Sequence, residues 1–145
     1  MSDEDVQALA AEGLVERVEP DPETARQELQ TARRHIQSAR RIARDDTSGA
    51  FAIGYDAMRK ANSAHMRARG YRVKPGKGHH HRTGRYALAA LDHLGIADHV
   101  EAFEDLRQMR NQSEYDVFTV EIGDVEEAIS HAEALVTAIA EDLGS

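Results

Sequence analysis

Two short stretches hold residue types from which chemistry can be built. The first is KPGKGHHHRTGR, residues 74–85 of this 145-residue chain. Its Lys74, Lys77, His80, Arg82 and Arg85 are basic groups in a glycine-rich segment that leads into a predicted helix. Backbone N–H groups and the helix dipole at such an N-terminus favour an anion, and glycines let the backbone come close, so the set fits a phosphate. The spacing is not that of a Gly-Lys-Ser/Thr phosphate loop. His79, His80 and His81 raise the alternative of a metal. Adjacent histidines diverge, however, and Asp56 and Asp92 are the closest acids in sequence, so neither a metal nor a cofactor is expected.

The second stretch is RNQSEY, residues 110–115. The helical pattern around it puts Val100, Phe103, Leu106, Arg110 and Ser113 on one stripe, which turns Arg110 to the apolar side. A guanidinium placed there needs a partner. It can be local, since Glu114 lies one turn on and Tyr115 can close the helix with its ring inward and its hydroxyl at the surface. It can also come from another molecule.

The elements that must position these residues are helices. A short helix is expected around 5–11, followed by an extended link, RVEPDP. Asp21 is a good N-cap with Pro22 at the first helical position, and Leu29, Ala32, Ile36, Ala39 and Ala43 recur at three- and four-residue spacing. Arg33, Arg40, Arg41 and Arg44 lie off that stripe. RDDTSG ends this helix and caps the next, over about 48–68, where Phe51, Tyr55, Met58 and Asn62 share a face and Gly54 allows close approach to a neighbour. RGYRVKPGKGHHHRTG reads as loop. Helices then follow over about 83–94, with Tyr86, Leu88, Ala89, Leu91 and Leu94 inward, and over about 98–114. An Asp124–Glu127 capping box opens the last helix, whose apolar face is Val125, Ile129, Ala132, Leu135, Val136, Ile139 and Leu143. DVFTVEI is the one weak strand signal. The expectation is an all-α, four- to five-helix up-and-down bundle over 21–145, preceded by a short helix and linker over 1–20.

Composition agrees with that class. Charged residues make up 30% and aromatics 5%, with no cysteine or tryptophan, so disulfides and thiolate chemistry are excluded. No apolar run is long enough to span a membrane, and the acidic N-terminus does not read as a signal peptide, so a cytoplasmic protein is expected. The net charge of −8 is unevenly spread. Residues 33–85 hold 14 of the 18 Lys and Arg but only three of the 26 acids. That block suits an anion-binding face, or basic middle helices pairing with acidic outer ones.

RNQSEY near the end of a penultimate helix resembles the signature of HEPN domains, the higher eukaryotes and prokaryotes nucleotide-binding domains. Their pattern is an arginine, usually a polar residue, then four to six residues to a histidine. Arg110 and Asn111 match the first two positions, and the helix order from Asp21 to Leu143 resembles the family's bundle. Active members resemble metal-independent endoribonucleases that dimerise to bring two motifs into one cleft. The resemblance implies that Arg110 binds phosphate and stabilises developing charge, and that Asn111 orients the site. Tyr115 stands where the histidine would be, and a phenol with a reference pKa of about 10 is a poor base near neutrality. His65 is the substitute elsewhere in the chain, although its place in a helix also suits a structural histidine; His35 has no evident partner. The resemblance implies a homodimer that binds RNA or a nucleotide, in a toxin–antitoxin or defence setting. The alternative is a non-catalytic interaction module that partners a nucleotidyltransferase.

Overall fold

The computed structural model describes residues 2–73, 86, 90, 91, 98, 105, 106, 108, 109 and 120–144. Its elements are α1 (Ser2–Ala11), β1 (Val15–Arg17), α2 (Pro22–Ile42), α3 (Thr47–Arg69), β2 (Tyr71–Val73) and α4 (Ile122–Asp142). The fold is a helical bundle with a two-stranded ribbon. Tyr86, Ala90, Leu91 and Asp98 are helical, as are Asp105, Leu106, Gln108 and Met109. Tyr86, Leu91 and Leu106 are buried as their patterns require, and Ala90 joins them; Leu88, Ala89, Leu94, Val100, Phe103 and Ser113 lie outside the described residues.

The start of α2 follows its sequence signals. Asp21 caps it by accepting from the Thr24 N–H at 3.1 Å, with Pro22 next. This bonding to Thr24 holds the exposed Asp21 carboxyl below its usual pKa. Leu29, Ala32, Ile36 and Ala39 are buried, whereas Arg33, Arg40, Arg41 and Arg44 face solvent. A short turn leads to Asp46, which caps α3 through the Gly49 N–H at 2.9 Å. So short a connection makes α2 and α3 an antiparallel hairpin.

Helix α3 is the centre of the described bundle. It packs along α2 on one side and α4 on another, while α2 and α4 also touch. Two packed sides explain why its buried set is wider than Phe51, Tyr55, Met58 and Asn62: Ala50, Ala57, Ala61 and Ala64 are also covered. Their small side chains let neighbouring backbones come close. Gly54 lies against α4, where a Cβ would sit 3.5 Å from the Ala128 Cβ.

Two expectations need correction. Residues 71–73 form a strand, where the sequence reads as loop. They pair antiparallel with Val15–Arg17 in the register Val15↔Val73, Glu16↔Arg72 and Arg17↔Tyr71. Three residues are too few for a period-two pattern to stand out. The last helix also starts earlier than an Asp124–Glu127 capping box would set it. Its N-cap is Glu121 and Asp124 occupies the third helical position, reaching back to the Glu121 N–H at 3.0 Å. Val120 and Glu121, at the end of DVFTVEI, are not strand. Val125, Ile129, Ala132, Leu135, Val136 and Ile139 form the buried face of α4, and Leu143 packs against the core. Val6, Leu9 and Val15 join the same core from the N-terminal segment.

Candidate functional site

The residues that the sequence marks for chemistry, Arg110, Asn111 and Tyr115, and Lys74, Lys77, His80, Arg82 and Arg85, lie outside the described residues, as do His79 and His81. What the described residues place is the scaffold that leads to them, and one histidine that is bonded through both of its ring nitrogens.

That histidine is His65, just over one turn before the end of α3. Its Nδ1 lies 2.9 Å from the Tyr86 hydroxyl and its Nε2 lies 2.8 Å from Asp142 Oδ2, at the end of α4. Arg69 Nη2 donates to the same Asp142 oxygen at 3.0 Å. A neutral imidazole protonated on Nε2 satisfies both ring contacts: Nε2–H donates to the carboxylate, and Nδ1 accepts from the phenol. The His65 side chain is 3% exposed. A general base must come within hydrogen-bond reach of its substrate. His65 instead ties α3 to Tyr86 and to the end of α4, which is a structural role, in a site more enclosed than its sequence suggests. Asp142 is 77 residues away, so no local pattern announces the pair.

One turn before His65, Asn62 is fully buried, and neither of its amide atoms has a hydrogen-bond partner. On the outer side, His35 is partly covered beside α3. Burial lowers its pKa; Asp56 opposes the shift, and Lys60, Arg34 and Arg59 add to it.

The basic middle of the chain divides in two. Part of it reaches acids on other elements: Arg40 pairs with Glu133, Arg67 with Glu28 at 2.7 Å, Arg69 with Asp142 and Arg72 with Glu16. Arg33, Arg41 and Arg44 are exposed and make no ion pair among the described residues. Pairing within the bundle and a surplus of open cations are therefore both present. Among the described residues no cluster of His, Asp or Glu could hold a metal ion, and no helix is long and apolar enough to cross a membrane.

Neither the curated proteins nor the solved structures offer a match to the chain. The model of the HEPN domain family matches residues 23–143, which takes in α2 from its second residue, α3, α4 and the whole RNQSEY stretch. A match over that much of the chain, on a bundle of this form, means that the chain belongs to the HEPN domain family.

Proposed function

We propose that this HEPN domain binds RNA or a nucleotide through Arg110 and Asn111, in a cleft shared by two copies of the chain. The family match carries the reading, because it extends through the segment that holds Arg110, Asn111 and Tyr115. Arg110 offers a planar fork to a phosphate, and its charge favours the more anionic transition state of phosphodiester cleavage. Asn111 orients the site. Lys74, Lys77, His80, Arg82 and Arg85 add phosphate contacts. Tyr115 replaces the family's histidine with a group that holds its proton near neutral pH, so metal-independent endoribonuclease activity is weak. The setting is a cytoplasmic toxin–antitoxin or defence system, with a nucleotidyltransferase as the antitoxin partner.

The test is a pair of variants, assayed on labelled single-stranded RNA. Arg110→Ala should keep the circular dichroism of the parent and lose RNA or nucleotide binding. Tyr115→His should raise cleavage in the presence of a chelator, with a pH profile governed by a group titrating near neutrality. If Arg110→Ala unfolds the protein and Tyr115→His changes nothing, the stretch is a structural helix end. A stable complex with a nucleotidyltransferase, without any affinity for RNA or nucleotides, selects the interaction module instead.

A further inference from the structure

A cavity of about 380 Å³ opens between α3 and the ribbon. Its α3 wall is Arg59, Ser63, Met66 and Arg67, residues spaced so that they follow one side of the helix. The facing wall is Tyr71, Arg72 and Val73 of β2, with Val18 just after β1. The ribbon is fixed there by backbone bonds. The Val18 N–H donates to the Gly70 carbonyl and the Asp21 N–H to the Arg67 carbonyl, each at 2.9 Å.

Among the described residues, three guanidiniums line this cavity and no carboxylate does. Three other cavities of the bundle each have an acid in the wall: Glu126 and Glu133 between α2 and α4, Glu133 again further along that seam, and Asp142 beside Pro22. The arginines are also held in a particular way. Arg59 bonds Asp56 through Nε at 3.2 Å, Arg67 bonds Glu28 through Nε at 2.7 Å, and Arg72 bonds Glu16 through Nε. None of the three bonds a described residue through its terminal nitrogens. Each guanidinium is therefore steadied from the side by an acid outside the cavity, and its terminal N–H groups stay available. Such groups match the oxygens of a phosphate. Ser63 adds a hydroxyl, and Met66, Val18 and Val73 offer an apolar surface next to the charges. The volume falls at the small end of ligand sites, which run from roughly 300 to 1,000 Å³.

We propose that the cavity is a second anion site, which takes a phosphate ester of a nucleotide or of an RNA strand between Arg59, Arg67 and Arg72. The nature of the ester rests on the nucleotide- or RNA-binding function proposed for Arg110 and Asn111; the site itself rests on the cavity and its arginines. A free nucleotide and an RNA backbone present the same chemistry, and the binding assay separates them.

The experiment measures binding of adenosine monophosphate and of a fluorescein-labelled single-stranded RNA at low salt. It compares Arg59→Gln/Arg67→Gln/Arg72→Gln with Arg33→Gln/Arg41→Gln/Arg44→Gln, which removes the same charge from α2 and the turn after it. The cavity variant should weaken binding about tenfold or more. The control should weaken it by less than about threefold. Weakening of both ligands means that a terminal phosphate enters; weakening of RNA alone means that the backbone diester does. In the unmutated protein, adenosine monophosphate or RNA should shift the Nε–H resonances of Arg59, Arg67 and Arg72, a readout that holds even if the triple variant folds poorly. Equal losses in the two variants, no loss in the cavity variant, or no binding by the unmutated protein would overturn the proposal. Arg110→Ala separates the two sites. If it abolishes RNA binding while the cavity variant binds normally, the cavity falls and the motif stands. If it binds normally while the cavity variant loses RNA, the motif falls and the cavity stands.

Discussion

Two buried or half-buried histidines show how one residue type takes opposite roles within neighbouring helices. His65 has a hydroxyl on one ring nitrogen and a carboxylate on the other, so its polarity is matched inside the core. Tyr86→Phe deletes the phenolic contact while keeping the ring, and should cost about 1 kcal/mol in urea unfolding. His65→Leu deletes both contacts, one of them to a charged group, and should cost about 2–3 kcal/mol. Equal costs for the two variants would show that the Asp142 contact contributes nothing. His35 has no such compensation, and burial holds its pKa below the ordinary value. The folded state thus favours neutral imidazole, and the unfolded chain binds the proton more readily. The resulting stability is fully present above the unfolded pKa of about 6.5, and is lost as pH falls through the window beneath it. Melting temperatures between pH 7.5 and pH 5 should decline more steeply for the parent than for His35→Gln. Identical slopes would remove His35 as a source of the pH dependence. Burial is the largest contribution to the effect; Asp56 opposes it, and Lys60, Arg34 and Arg59 add to it.

The elements themselves were mostly legible in the sequence, because helix signals are local. Asp21-Pro22 gives the start of α2, a three–four apolar stripe gives its inner face, and the stretch RDDTSG, which holds the N-cap Asp46, gives the start of α3 to within a residue or so. What could not be read is what depends on distant segments: the pairing of 15–17 with 71–73, the second packed side of α3, and the bond from His65 to Asp142. The cavity between α3 and the ribbon was illegible for the same reason, since a strand too short to show alternation builds half of it. Two glycines of α3 and its cap express this difference between local and distant control. Gly70 ends α3 at φ +82°, and a Cβ there would meet the Val18 carbonyl oxygen at 2.7 Å and the Pro20 ring at 3.0 Å. Backbone strain and the clash act together, so Gly70→Ala should cost about 1–3 kcal/mol and loosen the ribbon. Gly54 has a helical backbone, and a Cβ there would make an ordinary 3.5 Å contact with Ala128. Gly54→Ala should be neutral, or should stabilise by up to about 1 kcal/mol through helix propensity. Chemical denaturation of both variants checks the contrast, and a large loss in Gly54→Ala would show that α3 and α4 pack more tightly than this spacing allows.

At the scale of the molecule, the proposed function requires a chain of net charge −8 to bind a polyanion. It can do so only if its cations are gathered and its acids face elsewhere. Part of the basic middle is tied to acids of the outer elements through Arg40–Glu133, Arg67–Glu28, Arg69–Asp142 and Arg72–Glu16. The arginines of these pairs are half-exposed or more, and exposed pairs contribute only about 0–1 kcal/mol each. Fold stability resides instead in the apolar faces of α2, α3 and α4, which salt does not screen. Phosphate binding is different, because each neutralised phosphate releases condensed counterions. The logarithm of RNA affinity should therefore fall by about 0.7 per phosphate contact for each tenfold rise in salt. Raising salt from about 50 mM to 500 mM should leave the melting temperature within a few degrees while RNA affinity drops by about tenfold or more. Parallel melting and RNA titrations over that range decide the matter. A melting temperature that collapses with the affinity would mean that the basic middle serves to hold the bundle together, with its arginines committed to the acids of the outer helices and not free for a ligand.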